Sequence, residues 1–186
     1  MIENEVLKAI EERSSTRDYR SDPIPEDMMH ALKKAALEAP TSLNRCEQKF
    51  FFITDREILH DIELDVMKMA EEQGEWGYLE RLKERDNKVL FGAPLLIIVT
   101  SREVNDYTSC DAGIAAQTIC LAAHSMGLGS VIMAAPDRIF LGDRGKPWRE
   151  RIGMEPGWQF EISVAVGFIN SPKEPHDIDF DNIVDV

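Results

Sequence analysis

Between Asp106 and Met126 the chain reads DYTSCDAGIAAQTICLAAHSM, and no other stretch restricts the fold as much. Apolar residues recur around most of a helical circumference, and Ala112, Gly113, Ala115, Ala116, Ala122 and Ala123 keep its sides small. Such a helix lets its neighbours approach closely and has to be central to a core or to an interface. Asp111, Gln117 and His124 interrupt it at several points, and Gly127 and Gly129 are expected to end it. Its most apolar part, Ala112 to Ala123, falls short of the roughly 20 residues that span a bilayer. With 186 residues available to cover it, an intimate homodimer with this helix in the seam is the expected arrangement.

The other elements follow from periodicity and punctuation. Val6, Leu7 and Ile10 share one face of a first helix ending near Arg13. A second helix starts at a Pro25 first turn enriched in Glu26 and Asp27, and Pro40 closes it. Lys49 to Thr54 is an aromatic, β-branched strand. A charged helical region from Glu57 to Asn87 breaks around Gly74 to Tyr78. The near-continuous apolar run Ala93 to Ser101 predicts a strand buried on both faces. Ser130 to Ala135 and Gln159 to Ile169 are further strands, with a short helical piece at WRERIGM between them. The class is α+β, a layered sheet flanked by helices, in one domain spanning residues 1–186.

Composition narrows the function. A formal net charge of -13 works against general nucleic-acid binding and against docking on anionic membranes. Cys46, Cys110 and Cys120 form no CxxC pair, which favours a reducing cytoplasm over a disulfide framework. The four histidines lack metal-ligand spacing, so no metal is expected. Neither GxGxxG after a strand, nor GxxxxGK[ST], nor a G-x-S-x-G elbow occurs.

Two polar stretches could carry chemistry. ERSSTRDY, residues 12 to 19, sets Arg13 and Arg17 four residues apart with Ser14, Ser15 and Thr16 between them. This is either a solvated turn with a capping serine or a clamp for a small anion, since guanidinium groups bond phosphate or a flavin's pyrimidine edge in bidentate fashion. APTSLNRCEQ, residues 39 to 48, lies between a helix end and a strand and offers Thr41, Ser42 and Asn44. On its own it reads first as a helix stop and turn, with a ligand loop as the other reading.

Taken together and in order, RSSTRDY, APTSLN, GAPLLIIV, the helix from Asp111 to Ser130 and the strand end VAVGF resemble the nitroreductase family of FMN-dependent oxidoreductases over roughly residues 5 to 170. The resemblance implies an intertwined homodimer with FMN at the subunit interface. It implies Arg13, Ser14, Ser15 and Arg17 as FMN contacts: Arg13 and Ser15 at the phosphate and ribityl chain, Arg17 at the pyrimidine edge. Pro40, Thr41, Ser42 and Asn44 are implied as the partner subunit's loop, and Met133, Ala134 and Ala135 as backbone laid over the ring. Lys173 is a candidate phosphate clamp in the tail, residues 170–186.

The same resemblance implies electron transfer from NAD(P)H through the flavin to a nitroaromatic, quinone or similar conjugated acceptor. The two substrates would use one pocket in alternation. Residues 57–91 would set access to it, with Trp76 and Tyr78 as lid candidates. The chain departs from the family where N-x-Q-P-W becomes NRCEQKF, and where an acidic residue common near position 134 is alanine. A specialised relative, removing halide or fragmenting flavin, or a flavin-binding or storage protein, are the alternatives.

Overall fold

A computed structural model describes residues 2–102 and 105–186 of the chain. In chain order the elements are α1 (Glu5–Glu12), α2 (Glu26–Glu38), β1 (Gln48–Ile53), α3 (Arg56–Glu72), α4 (Trp76–Lys83), β2 (Leu95–Ser101), α5 (Thr108–Ser125), β3 (Leu128–Met133), α6 (Asp137–Phe140), α7 (Lys146–Arg151) and β4 (Gln159–Phe168). Sheet order is β1-β2-β4-β3, with every neighbouring pair antiparallel.

The apolar run at residues 95–101 becomes a central strand with no exposed residue. Side chains alternate across a strand, and β2 uses that period to feed two cores. Leu96 and Ile98 join Ile62, Val66, Leu82 and Phe140 on the face covered by α3, α4, α6 and α7. Leu95 and Ile97 join Leu32, Ala36, Ile119 and Ala123 on the face covered by α2 and α5. The sheet is antiparallel yet helix-covered on both sides, which explains why β2 lacks a polar alternation.

α5 buries Ala112, Ala115, Ala116, Ile119, Cys120 and Ala123. These positions recur at three- and four-residue steps and form one stripe of the helix. Its other side carries Cys110, Gly113, Ile114 and Gln117, all exposed, and a Cβ built on Gly113 would meet nothing within 4 Å. α1 behaves alike: Asn4 caps it by accepting from Val6 and Leu7 N–H groups, but Val6, Leu7 and Ile10 remain 66, 45 and 52% exposed. No helix among the described residues is long and apolar enough to cross a membrane.

Three boundaries differ from expectation. Gly127 ends α5 in the left-handed region, at φ 77°, but Gly129 lies inside β3, where close approach of another segment requires it. Strand β3 therefore starts at Leu128 instead of Ser130 and stops at Met133. Ala134 and Ala135 have left the ladder, because Asp137 N–H donates to Ala134 O (2.8 Å) in a turn that opens α6. Pro25 is the residue preceding α2.

Candidate functional site

Residues 13–20 run beside β3 and close its free edge. Ser15 bridges Ser130 in parallel register, and Thr16 N–H donates to Ser130 O at 3.0 Å. Gly129 makes this possible: a Cβ there would lie 2.5 Å from Thr16 Oγ1 and 2.8 Å from Thr16 Cβ. Tyr19 locks the far end, its buried hydroxyl placed for Thr16 O (2.9 Å) and Ala165 O (3.2 Å). Burial pushes the Tyr19 phenol above its ordinary value, so it stays a neutral donor.

The side chains of this stretch alternate in what they engage. Ser14 Oγ donates to Lys173 O (2.7 Å). The Asp18 carboxylate accepts from Asn170 Nδ2 (2.8 Å) and Ser171 Oγ (2.6 Å), bonds that hold its pKa below the usual range. Thr16 is buried against Gly129. Arg13, Ser15 and Arg17 occupy the intervening positions, which an extended strand presents to the opposite side. The chain thus brings Lys173 to Ser14 and leaves both guanidinium groups of the motif without a carboxylate partner among the described residues.

Met133, Ala134 and Ala135 lie farther along the same edge, where Ser163 Oγ donates to Met133 O (2.8 Å). Beyond them stand residues for which the sequence offers no motif. Arg138 lies over the Tyr78 ring at 5.1 Å, and Arg85 over the Phe91 ring at 4.4 Å. Phe91 packs with Tyr19, Val131 and Met133, which brings Arg85 to the wall that holds Arg17. Burial, and then the nearby Arg17 and Arg81, lower the Arg85 guanidinium below its ordinary value. Of the two lid candidates, Tyr78 is half-buried in this wall, whereas Trp76 is 59% exposed.

Pro40, Thr41, Ser42 and Asn44 are elsewhere. Ser42 N–H donates to both Asp111 carboxylate oxygens at 3.0 Å, and its hydroxyl donates to Oδ1 at 2.9 Å. Cys46 N–H donates to Thr41 Oγ1 at 3.0 Å. Leu43, Asn44 and Cys46 sit at φ 57°, 52° and 51°, a region that costs a leucine about 1–2 kcal/mol. This loop precedes β1, beside Ser101 and Gln159, while Ser15 sits by Ser130 and Val166. Seven residues along β4 and four strand spacings separate the two, roughly 30 Å at ordinary strand dimensions. One copy of the chain does not bring the two motifs together.

Two sizeable hollows of the single chain are in neither place. One of about 570 Å³ lies between α3 and α4, against Leu64, Met67 and Trp76, and one of about 490 Å³ lies beside α7, against Arg149 and Trp158. The cationic wall is an open shelf.

Comparison with known proteins matches residues 10–168 to the model of the Nitroreductase family. A protein of Methanothermobacter thermautotrophicus is 30% identical over 131 residues, which is 68% of this chain and 59% of that protein. The match therefore spans less than two thirds of that relative's length. One of Archaeoglobus fulgidus is 27% identical over 175 residues, 94% of this chain and 91% of that protein. Both carry a provisional name, NADH dehydrogenase/NAD(P)H nitroreductase. Among solved structures, a nitroreductase of Desulfitobacterium hafniense DCB-2 with bound FMN superposes with a TM-score of 0.94 at 30% identity, covering all of both chains.

Proposed function

The chain belongs to the nitroreductase family, and on that footing we propose that it passes electrons from NAD(P)H through bound FMN to a small conjugated acceptor such as a nitroaromatic or a quinone. The observation that carries this reading is the anchored RSSTR stretch. Its backbone is fixed to β3, and its two guanidinium groups have no carboxylate partner among the described residues, in a chain of net charge -13. An unpaired cationic edge on an acidic protein suits an anionic ligand, and its length along β3 suits one with a phosphate at one end and a polar ring at the other.

FMN, when bound, supplies the two-electron chemistry at its ring, so the protein needs no acid–base side chain for that step. The chain's own residues hold and polarise. Arg13, Ser15 and Lys173 hold the phosphate and ribityl chain. Arg17 sets a fixed positive charge at the pyrimidine edge, where negative charge accumulates on reduction, and so raises the electron affinity of the ring. Backbone at Met133 to Ala135 lies against the ring whatever its side chains, which is why Ala134 can stand where relatives have an acid.

A second copy of the chain completes the site. Pro40, Thr41, Ser42 and Asn44 cannot reach their own chain's shelf, and the exposed apolar faces of α1 and α5 supply the surface for a homodimer. The strained, Asp111-held loop is then the partner's contribution. Donor and acceptor occupy the shelf in turn.

The test is direct. Purified protein should be yellow, dimeric in solution, and lose its flavin absorbance under anaerobic NADH or NADPH. Arg17→Ala should lower the flavin's reduction potential while the dimer persists. Bound flavin that only dithionite reduces would remove NAD(P)H from the proposal and leave a flavin-binding or storage protein. Colourless protein that refuses added FMN would remove the whole reading.

A further inference from the structure

Asp61, Asp65 and Glu72 follow at helical steps along one face of α3, and Glu75 stands just past its end. The segment from α6 to α7 lies against them in reverse order. Arg151 Nη2 donates to Asp61 at 2.7 Å, Trp148 Nε1 to Asp65 at 2.7 Å and Arg144 Nη2 to Glu72 at 2.6 Å, and Arg138 Nη1 pairs with Glu75 at 2.5 Å. Exposed pairs of this kind contribute little. Arg138 is the least exposed of the three arginines, at 22% against 38% for Arg151 and 66% for Arg144. Its Nη1 also donates to Gln73 Oε1 at 3.3 Å.

What the Arg138 pair joins sets it apart. Glu75 opens α4, its carbonyl accepting from the Tyr78 and Leu79 N–H groups at 3.0 and 3.1 Å. Arg138 belongs to α6, whose opening turn is bonded to Ala134 O. Tyr78, Met133 and Ala135 border one buried cluster, and the Arg138 guanidinium covers the Tyr78 ring. Beside this contact Tyr78 Oη and Arg138 Nε are buried and have no hydrogen-bond partner among the described residues. Water would satisfy both if α4 moved away. The corner is therefore closed against a cost, and it is where the wall of the shelf opens most readily.

We propose that the Glu75–Arg138 pair is a latch that holds the start of α4 against the turn after β3 and so limits the size of the acceptor the shelf admits. This rests on the electron-transfer reading above. Both are positioning residues, acting through Tyr78 and α4. A narrow acceptor enters past the closed corner, whereas a broad one has to wait for the pair to part.

The experiment uses the FMN-loaded protein and two neutral acceptors, benzoquinone and the broader phenanthrenequinone. Wild type is compared with Glu75→Gln, Arg138→Gln, the double variant, and Arg144→Gln as the control that loses the outer pair. Either latch variant should lower the KM for phenanthrenequinone about fivefold, the weight of one partly exposed ion pair. The KM for benzoquinone and the flavin's reduction potential should stay put. The double variant should match the single ones, because both remove the same contact, and Arg144→Gln should match wild type. A merely structural pair predicts lower thermal stability with both KM values unchanged, and that result overturns the latch. An equal change for both quinones, or a shifted potential, also overturns it, since the pair would then act on the ring or on the whole shelf. If wild type passes electrons to neither quinone, the electron-transfer reading falls and this one with it.

Discussion

The two polar motifs of the chain contrast in how they are built. Residues 13–19 are held by two β-bridges, a buried tyrosine and three side-chain hydrogen bonds with the tail, so that the backbone is fixed before any ligand arrives. Residues 41–46 have one strong tether, Ser42 to Asp111, and three non-glycine residues in left-handed backbone. Leu43 at their tip is 81% exposed. The first motif is complete within its own chain. The second spends conformational energy on a shape that, beyond the Asp111 tether, projects Leu43 into solvent, as expected of a segment finished by a neighbour.

The firmest way to break the contrast is Gly129→Ala. The added methyl would sit 2.5 Å from Thr16 Oγ1 and 2.8 Å from Ile169 Cγ1, and both neighbours are held in place. Overpacking of this kind costs about 1–3 kcal/mol. The urea midpoint should drop accordingly, and FMN uptake should vanish as Arg13 to Arg17 leave β3. A variant that binds FMN with wild-type affinity would show that the shelf does not depend on this contact.

Asp111→Ala attacks the other motif and should cost less in stability, about 1–2 kcal/mol, because the lost hydrogen bonds to the carboxylate are only part-buried. Its effect on FMN should still be large, since Ser42 and Asn44 lose their placement. Mixing the two variants sharpens the comparison. Random exchange of subunits should make about half the dimers mixed, each with one intact site, and so restore about a quarter of the FMN sites that neither parent fills. No recovery on mixing would mean that both motifs serve the same chain's site.

What could be read from the sequence depended on whether the signal was local. α5 was legible because its small residues recur at helical spacing, and β2 because seven residues in a row are apolar or small. Gly127 and Gly129 look alike in sequence; only the first has positive φ, and the second is needed by a segment more than a hundred residues earlier. The wide separation of the motifs, roughly 30 Å, follows from the order β1-β2-β4-β3, which long-range pairing sets and no window of sequence displays. Arg85 lies in a charge run that no residue spacing marks, and its place beside Arg17 comes from Phe91 folding beneath it. Tyr19, by contrast, was visible as part of a motif, yet its work is to anchor the stretch beside which Arg17 stands.

The smallest expected effect concerns the support behind the anchored motif. Glu63 Oε1 accepts from Leu90 N–H, which holds the turn carrying Phe91 under Tyr19 and Arg85. Burial raises the Glu63 pKa, and the Leu90 bond only partly offsets it. The folded state therefore binds this proton more tightly than the unfolded chain does. Its contribution to stability is full below the unfolded carboxyl's titration and declines as pH rises through the folded value. Glu63→Gln keeps an acceptor for Leu90 and removes the charge. Relative to wild type it should be indistinguishable at acid pH and more stable near neutrality, by less than either variant above changes stability. Urea midpoints across that range measure it. A neutral-pH loss instead would mean that the Glu63 charge is wanted after all, as a counterion for the cations around it, Lys88 and Arg85.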